Sequence, residues 1–212
     1  MSKILEVSAA VEGGKVKIIQ GLVQEALDEG FEANTILDDG LIAAMRVIGD
    51  KFQANEVFVP EMLVSAKAMK KGVEILKPHL SGTELGKMGK YIIGTVAGDL
   101  HDIGKNLVAL MIESAGFEVI DLGVDVPAQN FVDALNEHPD CKIIGASALL
   151  TTTLEALKNT VKAIHDGGFK DKVKIMVGGA PVTQEFADKI GADVYTPDAG
   201  SAASKAVELV SG

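Results

Sequence analysis

Residues 98–106 read GDLHDIGKN, set between the apolar runs YIIGTVA (91–97) and LVALMIESAG (107–116). Asp99, His101 and Asp102 are ionisable, and Gly98 and Gly104 bracket them. Four chemistries use such residues. A phosphate-binding loop would use Lys105, but a Walker loop sets its Gly-Lys pair one residue nearer its first glycine than Gly104-Lys105 stands to Gly98. It also needs Ser or Thr where Asn106 stands. No G-x-G-x-x-G offers a dinucleotide site instead. A receiver domain could use Asp99 as phospho-acceptor, but it needs no histidine two residues later and leaves the helical half of the chain unexplained. A metal centre built from side chains alone needs more ligands. The chain has four histidines, and His79, His138 and His165 show no ligand spacing with His101. The fourth chemistry is a single axial ligand to a metal that arrives already chelated by a macrocycle. The other ring nitrogen then needs a carboxylate to fix its tautomer, and Asp99 is within reach when the loop turns back at Gly104. Two plainer readings stand beside it. His101 taken alone is a solvated loop side chain, and Asp102 is a cap for the helix starting near 104.

The elements around this loop fall into two halves with different periods. Up to about residue 80 the pattern is helical. Val16, Ile19, Leu22, Val23, Ala26 and Leu27 share one face, and Gly30 stops that helix. Ile36, Leu41, Ile42, Met45 and Ile48 mark another. Pro60 opens a third, in which Met62, Ala66, Met69, Val73 and Leu76 recur on one side before Pro78. With a short helix over 3–11 these make a four-helix bundle. Met62 and Met69 read as core fillers rather than ligands.

Residues 81–88, SGTELGKM, read as a linker. Beyond it, short apolar runs at 91–97, 117–123, 142–148, 173–179 and 192–196 alternate with helical segments at 104–115, 127–137, 152–166, 183–190 and 199–210. Near-continuous apolar strands fit a parallel sheet covered on both faces. The expected architecture is therefore α + α/β. A helical bundle domain spans 1–85, and a Rossmann-like (flavodoxin-like), doubly wound, five-stranded parallel domain spans 86–212. Ligands of such sheets bind at the carboxyl ends of the strands. Three of those ends are chemically unusual: GDLHDIGKN, SALLTTT (147–153) and GGAP (178–181).

Composition excludes several classes. Net charge is −10, so neither sequence-independent nucleic-acid binding nor attachment to an anionic membrane surface is expected. The single cysteine, Cys141, permits no internal disulfide and disfavours a cysteine-built zinc site. The start, MSKILEVSAAVEGGK, lacks the apolar core and basic segment of a signal peptide. No apolar run reaches the ~18 residues of a membrane span. The expected location is a reducing cytoplasm.

Asp99-x-His101-x-x-Gly104, followed by Ser147-x-Leu149 and by Gly178-Gly179, resembles the D-x-H-x-x-G, S-x-L, G-G signature of cobalamin-binding domains. The stretch GDKFQANEVFVPEMLVSAKAM (49–69) is similar to the helical cap over the cofactor in methionine synthase and in the corrinoid proteins of methyltransferase systems. The resemblance covers nearly the whole chain. It implies cobalamin as cofactor, methylated in the loaded state, with His101 as lower axial ligand of cobalt in place of the cofactor's own base. Asp99 then accepts a hydrogen bond from His101. Thr153 backs Asp99 where methionine synthase has a serine. Gly98, Leu100, Asp102, Ile103 and Gly104 complete the loop under the corrin. Ser147, Thr151 and Ala199 align with residues beside the nucleotide tail, Leu149 of the S-x-L element is a further cofactor-binding position, and Gly178, Gly179 and Ala180 clear the tail's slot. Phe52 and Val59 align with the pair that shields the upper face. Read alone, Gly178-Gly179 is equally a strand-to-loop turn, Thr151–Thr153 an N-cap cluster, and Phe52 and Val59 bundle core.

The function implied is that of a methyl carrier rather than a catalyst. It would be methylated by a substrate-specific corrinoid methyltransferase, and a second methyltransferase would pass the methyl to tetrahydrofolate or coenzyme M. A reductive activating protein would rescue the oxidised cofactor. The methyl donor (a methylamine, methanol, betaine or a methoxyaromatic) belongs to the partner and is not written in this chain. Two rivals share the signature. The cobalamin subunit of a radical mutase normally lacks the helical cap, and a cobalamin-dependent sensor or regulator needs an output module.

Overall fold

The computed structural model describes residues 2–80 and 88–211, the side chain of Gln53 excepted. The expected linker at 81–88 lies almost wholly outside the described residues. The chain divides into two compact units near residues 87 and 88.

The first unit is a four-helix bundle. α1 (Lys3–Glu12) and α2 (Ile19–Asp28) are followed by a continuous rod made of α3 (Ala33–Thr35), a π-helical stretch Ile36–Ile42 and α4 (Ala43–Gln53). α5 (Val59–Leu76) completes it. Ile19, Val23, Ile36, Leu41, Met45 and Met62, all on the apolar stripes the sequence pattern marks, are buried, and Val7 and Val11 of α1 are buried with them, whereas Val16, Leu22, Leu27 and Val73 are half-buried. Met69 is buried too, so both methionines fill the core. Pro60 sits in the first turn of α5, where its missing N–H costs nothing. Glu61 Oε2 accepts from the Phe58 N–H at 2.9 Å and fixes where that helix begins. The π-helical stretch over ILDDGLI has no counterpart in the apolar spacing, because the period drifts by less than one residue per turn there.

The second unit carries one sheet. Its strands are β1 (Lys90–Thr95), β2 (Glu118–Asp121), β3 (Cys141–Ser147), β4 (Lys174–Gly178) and β5 (Val194–Tyr195). They lie in the order β2-β1-β3-β4-β5, and every pairing is parallel. This is the doubly wound, flavodoxin-like order. The inner strands β1, β3 and β4 are buried along most of their length, whereas the edge strand β2 is only half-buried. Crossovers are made by α6 (Ile103–Ser114), α7 (Ala128–Glu137), α8 (Leu154–Ile164) and α9 (Gln184–Ile190), with α10 (Ala199–Ser211) last. Ile92, Ile143 and Ile144 are fully buried. Each contributes about 2 kcal/mol by leaving water, more than the net ~1 kcal/mol of a typical loop hydrogen bond. The sheet is thus the firm base, and the loops at its carboxyl edge are held against it.

Sheet register sets those loops. Thr95 lies opposite Ser147, and Ser147 opposite Gly178, so three strand-final residues form one row. The chain leaves β1 toward β2 on one side and returns to β3 on the other. The crevice between the β1 and β3 ends is the topological switch point, where such sheets bind ligands.

Candidate functional site

Leaving β1, the chain turns at Val96–Asp99, closed by the Asp99 N–H to the Val96 carbonyl at 3.1 Å. Gly98, third in the turn, has φ +79°, a conformation open to glycine and strained for other residues. Asp125, on the loop after β2, locks this turn from both sides. Its Oδ1 accepts from the Gly98 N–H at 2.7 Å, and its own N–H donates to the Asp99 carbonyl at 2.9 Å. Asp125 itself adopts φ +54°, uncommon for a residue with a side chain. The residue that turns the chain is thus Gly98, not Gly104. Gly104 lies in the first turn of α6, and a methyl group there would meet nothing within 4 Å.

Asp99 is fully buried at the base of the loop. Its Oδ1 accepts from His101 Nδ1 at 2.6 Å and from the His101 N–H at 3.1 Å. Its Oδ2 accepts from the Leu149 N–H at 2.6 Å, from the Leu150 N–H at 3.3 Å and from Thr153 Oγ1 at 2.8 Å. Burial alone would push the carboxyl up. The hydrogen bonds from the Leu149 N–H, the His101 ring, the Thr153 hydroxyl and the His101 N–H outweigh it and hold the group well below the usual carboxylate range. An ionised carboxylate only accepts. Nδ1 of His101 therefore carries the proton, and Nε2 keeps its lone pair for a metal. Thr153 shares its one proton between Asp99 Oδ2 and the Leu150 carbonyl at 2.9 Å.

The His101 side chain is about half exposed. Around it stand apolar side chains that a protein would ordinarily hide: Leu100 at 72% exposure, Ile103 at 82%, Leu149 and Leu150. Among the described residues no group of three or more His, Cys, Asp or Glu is placed to hold a bare metal ion. A lone imidazole ringed by exposed apolar groups suits a flat, largely apolar molecule that brings its own metal ligands.

The remaining expected residues divide into those that meet this loop and those that do not. Ser147 Oγ lies 3.1 Å from Thr95 Oγ1 under the loop. Thr151 is exposed in the short turn Thr151–Thr153 that leads into α8. Gly179 has φ +124°, and a Cβ there would stand 1.8 Å from the Ala148 carbonyl oxygen, so only glycine fits. Gly178 ends β4, Ala180 is exposed beside it, and Ala199 is the buried first residue of α10. Asp198 caps that helix, accepting from the Ser201 N–H at 2.8 Å. Asp102 does not bond a free backbone N–H of α6. Its Oδ2 accepts from Asn106 Nδ2 at 3.1 Å. Phe52 and Val59 belong to the helical unit, Phe52 half-buried in α4 and Val59 exposed at the start of α5.

Three features carried no expectation. Lys105 is almost fully buried, and its Nζ donates to Asp121 Oδ2 at 2.5 Å and to Asn106 Oδ1 at 2.7 Å. This ion pair ties the start of α6 to the end of β2. Asp125 and Thr95 are the others. Asp121, Gly98, Asp99 and Ser147 are brought to them by the fold rather than by a motif, so spacing along the chain carries no signal for them.

Comparison with known proteins decides the family. A B12 binding domain family matches residues 89–207, and a second B12 binding domain family matches residues 5–77. Dimethylamine corrinoid protein 1 of Methanosarcina mazei is 43% identical over 208 residues, 98% of this chain and 95% of the relative. The chain belongs to the B12-binding corrinoid proteins. Trimethylamine corrinoid protein 1 of Methanosarcina acetivorans is 42% identical over 186 residues, covering 87% of this chain and 86% of its own. Among solved structures, the methanol:cobalamin methyltransferase complex from Methanosarcina barkeri superposes with a TM-score of 0.88 at 29% identity, over 99% of this chain and 80% of that one. The monomethylamine corrinoid protein of the same organism gives 0.56 at 36% identity, over 96% of both chains. The cofactor of this corrinoid protein is a cobalamin. Its site fits that group: a half-exposed imidazole with Nε2 available and a rim of exposed apolar side chains around it.

Proposed function

We propose that this corrinoid protein carries a methyl group between two methyltransferases and holds its cobalamin with His101 as the lower ligand of cobalt. The observation that carries the reading is the grip on His101. A buried carboxylate fixes Nδ1, and Thr153 with two backbone N–H groups fixes the carboxylate. When bound, the cobalamin supplies a cobalt centre that takes up and gives away the methyl group. The chain's own residues do the rest. His101 offers one nitrogen in one orientation. Asp99 keeps that nitrogen's tautomer correct and stabilises the imidazole as charge is drawn toward the metal. Leu100, Ile103, Leu149 and Leu150 would hold the corrin and keep water from the metal. Ser147, Thr151, Gly178, Gly179, Ala180 and Ala199 receive the nucleotide tail. By the family resemblance, Phe52 and Val59 of the helical unit would be the apolar pair that shields the cofactor between transfers.

The donor is a methylated amine in this reading, because relatives named for dimethylamine and trimethylamine reach 42–43% identity over most of both chains, against 29% for the methanol complex. The donor-side partner is then a methylamine:corrinoid methyltransferase. The acceptor-side partner is a methyltransferase delivering to coenzyme M or tetrahydrofolate, and a reductive activating protein serves stray oxidation. The compartment is the cytoplasm, where Cys141 stays reduced. Among the described residues no helix is long and apolar enough to cross a membrane.

Loaded protein in the Co(II) state tests the ligand. Its paramagnetic resonance spectrum should show splitting from one histidine nitrogen, and His101→Ala should abolish it. Persistence of the splitting in that variant overturns the assignment. The donor is tested by mixing reduced, loaded protein with methylamine methyltransferases and their amines, and following the methylated form by absorbance. Methylation from methanol but from no amine would reassign the partner.

A further inference from the structure

Thr95, the last residue of β1, is 1% exposed and lies directly beneath the histidine loop. Its Oγ1 is 2.9 Å from the His101 carbonyl oxygen and 3.1 Å from Ser147 Oγ. A carbonyl can only accept, so the single proton of Thr95 goes to His101. The contact with Ser147 must then run the other way, with Ser147 donating to Thr95. The result is a directed chain from the Ser147 hydroxyl through the Thr95 hydroxyl to the His101 carbonyl, across the switch point between β1 and β3.

His101 has three polar handles besides Nε2. Its N–H and Nδ1 both rest on Asp99, and its carbonyl rests on Thr95. Among the described residues, Thr95 is therefore the one hydrogen-bond partner of His101 that does not act through Asp99. Residues 100–104 are otherwise exposed, so little else restrains the carbonyl side of the loop. The geometry points to Thr95 as a second positioning residue for the metal ligand, acting on its backbone as Asp99 acts on its ring; this rests on His101 being that ligand. A corollary concerns the tail slot. The Ser147 proton is committed to Thr95, so Ser147 turns lone pairs toward a ligand and takes a donor group there.

The test uses cobalamin-loaded wild type, Thr95→Val, Thr95→Ser, Ser147→Ala and His101→Ala, with His101→Ala as the unligated reference. In the Co(II) state, the ratio of histidine-bound to histidine-free protein is read from the nitrogen splitting. Loss of one buried hydrogen bond predicts about a fivefold shift toward the free form in Thr95→Val. Thr95→Ser should return the ratio to within about twofold of wild type. Ser147→Ala leaves the bond from Thr95 to His101 intact and should also stay within about twofold. A merely structural Thr95 would lower the melting temperature of Thr95→Val but leave the ratio in its loaded fraction unchanged, which overturns the proposal. A Ser147→Ala shift as large as that of Thr95→Val overturns the direction of the chain. If Thr95→Val yields no loaded protein, Thr95→Ala replaces it with the same expected shift. A wild type without histidine splitting sinks the ligand reading and this inference together. A wild type with splitting that Thr95→Val matches sinks this inference alone.

Discussion

Replacing Asp99 by Asn tests how the histidine is held, because the two side chains have nearly the same shape. Asp99 receives five donors, two on Oδ1 and three on Oδ2. An asparagine has one accepting oxygen. Facing that oxygen toward Leu149, Leu150 and Thr153 keeps three bonds, and facing it toward His101 keeps two, so the first orientation wins. The amide NH₂ then points at His101 Nδ1 and donates to it, which forces the neutral ring's proton onto Nε2. Nε2 must shed that proton before it can bind cobalt, and the charge-assisted bond to Nδ1 is gone. A hydrogen bond to a charged group contributes about 1.5–3 kcal/mol, which corresponds to a fall of about ten- to hundredfold in the histidine-bound to histidine-free ratio. The assay is titration of the loaded Co(II) protein, read by nitrogen splitting and absorbance. The apo-protein adds a second arm. The folded Asp99 carboxyl titrates below its unfolded value, so its contribution is present above the ordinary carboxylate pKa and is lost as pH falls through the folded value. The stability gap between wild type and Asp99→Asn should hold steady above about pH 5 and narrow below about pH 4. A variant that keeps the wild-type ratio, or a gap that persists unchanged into acid, refutes the reasoning.

Two further outcomes follow from the same loops. Gly179→Ala places a methyl 1.8 Å from the Ala148 carbonyl oxygen at φ +124°, so the apo-protein should lose about 3 kcal/mol or more and melt roughly 10 °C lower; an unchanged melt would show that the strand end can shift. Leu100→Ser and Ile103→Ser remove side chains already 72% and 82% exposed, so apo stability should move by no more than about 0.5 kcal/mol. Cobalamin affinity should fall roughly tenfold in each, since the proposed binding mode buries them under the cofactor; equal affinity with a destabilised apo-protein would reverse that reading.

The alternation of elements was legible because inner parallel strands are apolar on both faces, so 91–97, 142–148 and 173–179 stand out as unbroken runs. The pairing of His101 with Asp99 was legible because residues two apart in a turn can meet. The partners across the sheet were not. Lys105 reads as a solvent-facing lysine at a helix start, yet its ammonium is buried on Asp121, sixteen positions away at the end of β2. Thr95 reads as one more β-branched strand residue. Gly98 and Gly104 look equivalent as flanking glycines, and only the backbone angle separates the one that turns from the one that does not. Only the pairing of Thr95 with Ser147 follows from sheet register; the others follow from how α6 and the loops pack on the sheet, which local spacing does not carry.

The same long-range bonding orders events in time. The loop bearing His101 is made early in the second unit, but two of the groups that seat Asp99 arrive 50 and 54 residues later, from Leu149 and Thr153. On a ribosome, the emerging chain thus presents the histidine long before its counterweight exists. A corrinoid meeting that nascent segment finds an imidazole whose carboxylate partner is not yet seated, and only the Leu100 and Ile103 half of the apolar rim. Only when the loop after β3 has emerged and folded does the chain become selective, so cofactor capture is deferred to a nearly finished protein.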